Sequence, residues 1–207
     1  MDADSEIDKA GLILLLLAAE SSKPELRFRC DGITRLEKLL FLVEQETNVQ
    51  SELDEPFTFE AYHYGPYSKD VYDEVDFLRG MQLLDERRVE VSSGLDLSEE
   101  ADMLDAEDVS ADRYVERRFQ LTEDGKNVAR VLSTRLSSEG KAQLAGIKKR
   151  YGSMPLRQLL RYVYSRYPDY SRRARDARAT RLDPAGDTRD RGSTVRASHR
   201  HTARAPR

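Results

Sequence analysis

Eight consecutive apolar residues, Leu12–Ala19 (LILLLLAA), set the strongest limit on what this chain can become. A helix that is apolar on every side cannot lie on a surface, so this one belongs at the centre of the fold with other elements packed round it. The run is too short to span a bilayer, which takes about 20 residues. Its upstream flank, MDADSEIDKA, is acidic where a secretion signal would be basic. The expectation is a buried first helix over residues 6–20, no membrane partner and a cytoplasmic location. The single cysteine, Cys30, excludes an intrachain disulfide and a cysteine metal cluster, and it fits a reducing compartment.

The elements that must cover this helix can be read by period. Residues 22–31 carry Pro24 and a run of charges and read as a loop. Ile33, Leu36, Leu40 and Val43 recur at helical spacing, which predicts a second helix opened by Gly32-Ile33-Thr34 and ending near Thr47-Asn48. Thr34 and Glu37 have the spacing of a capping box. Residues 57–63 (FTFEAYH) alternate and predict a strand, broken at Tyr64-Gly65-Pro66-Tyr67. Ser68 is placed to cap a third helix over 69–80, with Val71, Val75 and Leu78 on one face and Gly80 to close it.

Residues 88–92 and 114–121 predict two strands of a hairpin. Thr122 to Leu136 gives a fourth helix and 138–150 a fifth. A sixth follows Ser153-Met154-Pro155, with Leu156, Leu159, Leu160, Val163 and Tyr167 on its apolar face. The fold class expected is α+β, mainly helical. It is a winged helix-turn-helix-like domain over residues 1–170, with added C-terminal helices.

Charge is segregated along the chain. Residues 1–145 hold 33 acids and 17 bases, a net −16, whereas 146–207 hold 5 acids and 17 bases, a net +12. The segment 94–112 holds eight acids and no base and reads as an exposed acidic loop. Residues 171–207 hold 11 Arg, no Lys and no aromatic residue, with Leu182 and Val195 as the only large apolar side chains. That segment has no material for a core and is expected to be a disordered tail. An acid-rich, lysine-poor composition suits a high-salt cytoplasm, and a GC-rich genome produces it equally.

Two blocks carry a family resemblance. Gly32–Leu42 (GITRLEKLLFL) followed by Phe59–Ser68 (FEAYHYGPYS) resembles the YwgA-like uncharacterised proteins and, more distantly, the Panacea domain of the SocA-like antitoxins. Phe119–Gly125 (FQLTEDG) and Leu159–Tyr170 fit the end of the same pattern; the Arg-rich tail departs from it. The resemblance to the antitoxin group implies neutralising or adaptor work through protein contact, and a cognate toxin as partner.

Two surfaces are candidates for binding. The first is the corner Tyr62, His63, Tyr64, Pro66 and Tyr67, joined by Asp70 and Asp73 of the third helix. Tyrosines bury large area at low entropic cost, which suits a protein contact, and the rings equally suit a structural corner. The second is basic and aromatic: Lys148, Lys149, Arg150, Arg157, Arg161 and Arg166, interleaved with Tyr151, Tyr162, Tyr164, Tyr167 and Tyr170. Bases with aromatics suit a nucleic-acid backbone and its bases. They equally suit a solvated face over packed rings, or a mate for the acidic loop of the same chain or a second copy.

DNA reading through the third helix is opposed by sign. Residues 68–80 carry Lys69 and Arg79 against Asp70, Asp73, Glu74 and Asp76, and the loop 94–112 is more acidic still. Catalytic signals are lacking. His63 is the only histidine within 1–170, and neither a G-x-S-x-G elbow nor a phosphate-binding P-loop occurs. The acids of 94–112 lack the order of an EF-hand. His199 and His201 make a single H-x-H pair in the tail. The expectation is a non-enzymatic module that binds a protein, without metal or cofactor, with a nucleic-acid-binding regulator of winged-helix type as the alternative.

Overall fold

The computed structural model describes residues 7–62, 65–92 and 113–171. Among them the protein is an α+β fold of six α-helices and two small antiparallel sheets. Helix α1 (Lys9–Ala18) is capped by Asp8, whose carboxylate accepts the Gly11 N–H at 2.7 Å. Every residue from Ala10 to Leu17 is buried. The helix packs against three others, α3 (Lys69–Gly80), α4 (Glu123–Arg135) and α5 (Ser138–Tyr151), and that encirclement is what an all-apolar helix needs. Helix α2 (Ile33–Glu46) lies on α5 and α6 (Leu156–Arg166).

Strand β1 (Arg29–Asp31) precedes α2, and the hairpin β2 (Glu60–Tyr62) and β3 (Gly65–Tyr67) follows it. Then come α3, β4 (Leu84–Ser92) and β5 (Arg113–Leu121). The larger sheet has the order β1-β5-β4, with Cys30 opposite Phe119 and Leu84 opposite Leu121. Alternation puts Leu84, Phe119 and Leu121 into the core and leaves Arg87 and Gln120 exposed. In the small sheet Tyr62 faces Gly65 and Glu60 faces Tyr67.

Several expectations need correction. Residues 29–31, read as loop, form β1. Only Cys30 of the three is buried, so no periodic signal marked them, and the strand exists because β5 offers a free edge. The strand expected over 57–63 is shorter. Phe57 stays outside the pairing, and its N–H donates to the Glu44 carboxylate at 2.6 Å. Within the break expected at 64–67, Gly65–Tyr67 instead forms the second strand of a hairpin.

The capping box at Thr34 and Glu37 does not form. Gly32, with φ of 92°, takes the N-cap of α2, and Glu37 turns into the core. Ser68 does stand at the N-cap of α3, yet its hydroxyl makes no capping bond. After α3 the left-handed position falls to Gln82, φ 59°, rather than to Gly80. Thr122 and Ser137 cap α4 and α5 through their hydroxyls.

Candidate functional site

The two residue blocks of the family resemblance meet in space. Lys38 and Glu37 of α2 form an ion pair of 2.5 Å with side chains 1% and 3% exposed. Lys38 Nζ also donates to the Pro66 carbonyl at 2.6 Å, and the Ser68 N–H donates to Glu37 at 3.0 Å. Burial lowers the Lys38 pKa against the pull of Glu37. Ser68 Oγ is wholly buried and has no hydrogen-bond partner among the described residues. Pro66 is buried as well. This cluster is closed to solvent and locks the β2–β3 hairpin to α2. It positions the corner and does not present Pro66 to a partner.

Gly65 is fixed by the same packing. Its φ is 91°, and a Cβ there would lie 2.7 Å from Tyr164 Cε1. Outside the cluster, three tyrosines remain in a row. Tyr62 and Tyr67 have ring centroids 5.1 Å apart, and Tyr67 and Tyr72 lie at 5.5 Å. Tyr62 is exposed, while Tyr67 and Tyr72 are half-buried. Burial pushes the Tyr67 phenol up, with Glu37 adding to it. His63 and Tyr64 lie outside the described residues, as do the acidic loop 94–112 and the Arg-rich segment from 172 onward.

Helix α3 sits beside this row. Asp70 accepts from Lys9 at 2.7 Å and from the Thr58 N–H at 3.3 Å, which ties α3 to α1. The Lys9 ammonium lowers the Asp70 pKa. Asp73 is exposed and pairs with Lys69 at 2.5 Å. Arg79 pairs with Asp76 at 2.9 Å and with Glu86 at 3.1 Å. Phe77 and Met81, 53% and 57% exposed, project from the same helix end one turn apart. Met81 opens a short apolar stretch, Met81–Leu84, in the sequence, and neither it nor Phe77 belongs to the Val71, Val75 and Leu78 stripe, which was the available signal for their exposure.

The basic C-terminal candidates are dispersed. Lys148 is 2% exposed, and its ammonium donates to the Leu17 carbonyl, which leaves it away from the surface. Burial brings its pKa down to about 8. Lys149 pairs with Glu20 at 2.5 Å. Arg157, Arg161 and Arg166 are exposed along α6, with Arg166 5.9 Å from the Tyr167 ring centroid. The interleaved tyrosines turn inward. Tyr151, Tyr162 and Tyr167 all donate to the Glu46 carboxylate, at 2.9, 2.5 and 3.3 Å. Burial, with Glu46 beside it, pushes the Tyr167 phenol up to about 12.

A second arginine group was not read from sequence. Register places Arg87 opposite Arg118 and Arg88 opposite Arg117 on the β4–β5 ribbon. Like charges directly opposed are unfavourable, and carboxylates relieve them. Arg117 grips Glu86 at 2.8 and 2.9 Å, and Arg118 holds Glu116 at 2.8 Å.

Cys30 is buried, and desolvation pushes its thiol up to about 12, which makes it unreactive. Among the described residues no group of three or more His, Cys, Asp or Glu is placed to hold a metal ion. No helix among them is long and apolar enough to cross a membrane. No family model matches the chain, nor does any curated protein or solved structure.

Proposed function

We propose that this chain is a non-enzymatic, winged-helix-like binding module that docks a protein partner through the outer face of α3 and the adjoining tyrosine row. The element order α1-β1-α2-β2-β3-α3-β4-β5, with β1, β5 and β4 in one sheet in that order, supports the winged-helix reading. In that arrangement α3 takes the place of the recognition helix.

The observation that carries the proposal is the state of this face. Both of its cations, Lys69 and Arg79, are already paired with carboxylates, and Phe77 and Met81 stand exposed among Asp73 and Asp76. An apolar anchor inside an acidic surround suits a partner with an apolar socket and a basic rim. It opposes a phosphate backbone, which needs free cations. The resemblance to the SocA-like antitoxins favours a toxin or an adapted client as that partner.

A second reading rests on a different surface. Arg87 and Arg88, both exposed midway along the β4–β5 ribbon, with Arg88 3.9 Å from Glu86, suit a nucleic-acid backbone. The two readings separate in one pair of experiments. A Phe77→Asp/Met81→Asp variant is expected to keep its fold and lose, by at least tenfold, any protein partner that the natural chain retains. A duplex held tightly at physiological salt, and released by Arg87→Gln/Arg88→Gln, would reverse the choice.

A further inference from the structure

A cavity of about 700 Å³ opens on the side of the molecule formed by the C-terminal end of α1, α4 and α5. Its size falls within the usual range for small-molecule sites, about 300–1,000 Å³. Leu15, Ala129, Leu136 and Leu144 are buried in its wall and make it apolar. Ala145 and Gly146 keep the α5 side open, and a Cβ on Gly146 would meet nothing within 4 Å.

The charges round this apolar space are almost all of one sign. Arg27, Lys126, Arg130, Lys141 and Lys149 line it, with Glu20 as the only acid. Four of these five come from residues 1–145, where acids outnumber bases 33 to 17. Lys126 pairs with Glu123 and Lys149 with Glu20. Arg27, Arg130 and Lys141 have no carboxylate within salt-bridge distance among the described residues, and Arg130 donates to the Asn127 side-chain carbonyl at 2.8 Å. Phe28 marks the edge. Its backbone is held at φ 65°, and its ring lies 5.0 Å from the Arg27 guanidinium and 5.2 Å from the Lys126 ammonium. A non-glycine residue in that conformation is a strained position of the kind that gathers at ligand sites.

We propose that this cavity is a binding site for an apolar carboxylate of the medium-chain fatty-acid type. The alanine and leucine wall takes the hydrocarbon, and Arg27, Arg130 and Lys141 at the mouth take the carboxylate. This site is separate from the α3 face, and neither reading depends on the other.

Octanoate and octanol, titrated calorimetrically into the full chain at low ionic strength, test the assignment. Saturable one-to-one binding of octanoate is expected, with octanol at least tenfold weaker. Arg27→Gln/Arg130→Gln/Lys141→Gln, changes confined to exposed side chains, is expected to weaken octanoate at least tenfold with an unchanged circular dichroism spectrum. Ala145→Phe, which fills the cavity, is expected to abolish binding, and Phe77→Asp/Met81→Asp to leave it intact. The proposal is overturned by an absence of saturable octanoate binding, by equal affinity for octanol, or by full affinity in the triple variant.

Discussion

Lys38 and Lys69 lie 31 positions apart, each held 2.5 Å from a carboxylate, yet the two pairs have opposite roles. Lys38 with Glu37 is sealed between α2 and the hairpin, where it fastens Pro66 and Ser68. Lys69 with Asp73 stands in solvent, more than half exposed on both sides, and fastens nothing outside its own helix. The inner pair holds the tyrosine corner in place. The outer pair removes a cation from the face that a partner would meet. The contrast teaches that charge on this chain acts through position: the same residue types serve as a structural clasp in one place and as a surface screen in the other.

The sharpest way to break this comparison is at the clasp. Lys38→Met leaves Glu37 charged and unpaired in the core, and breaking a buried pair in this way costs about 3–5 kcal/mol. Urea unfolding should register that loss. Glu37→Leu with Lys38→Met should cost less than the single change, because no lone charge remains. If the single variant unfolds at the midpoint of the natural chain, the clasp is not structural.

A smaller effect belongs to Glu44, on the same helix. Burial pushes its carboxyl up from an ordinary 4.5 to about 7, against the Phe57 N–H and the Lys9 ammonium; Asp70 adds to the rise. Between those two values the folded chain keeps a proton that the unfolded chain releases. Stability is therefore greatest below the window and falls as pH rises through it. Glu44→Gln keeps an acceptor for Phe57 and should flatten that slope, gaining on the order of 1–3 kcal/mol above pH 7. Unfolding curves at pH 5 and pH 8 check it; a parallel slope in natural chain and variant would count against a raised Glu44. The smallest effect is expected at the outer pair. Lys69→Met should leave the unfolding midpoint where it is, as exposed pairs contribute little.

How much of this could be read beforehand follows the range of the forces involved. The helices were legible, since Leu36, Leu40 and Val43, or Leu156, Leu159 and Val163, repeat within one element. Strand β1 was not legible: Arg29-Cys30-Asp31 has no pattern until β5 lies beside it. Nor was the burial of Lys38 and Lys148, whose ammonium groups are received by carbonyls far along the chain, at Pro66 and Leu17. The tyrosines of the basic segment could be read as packed rings or as a stacking surface, and residue pattern alone left both open because their shared acceptor, Glu46, is more than 100 positions away. In the candidate site, the aromatic corner and the acidity of α3 were visible in the residues. The stripe Val71, Val75 and Leu78 already left Phe77 outside the covered side of α3; that Met81 stands exposed beside it needed the fold, since the chain leaves the helix there.

The central claim is that α3 meets a protein. The most direct test replaces Phe77 with a photo-activated cross-linking phenylalanine in the cells that make this chain, with position 131, also exposed and apolar but on α4, as the comparison. A discrete covalent adduct with another polypeptide is expected from position 77 and none from position 131. An adduct from position 77 that nuclease digests, or one equally strong from both positions, would contradict the claim.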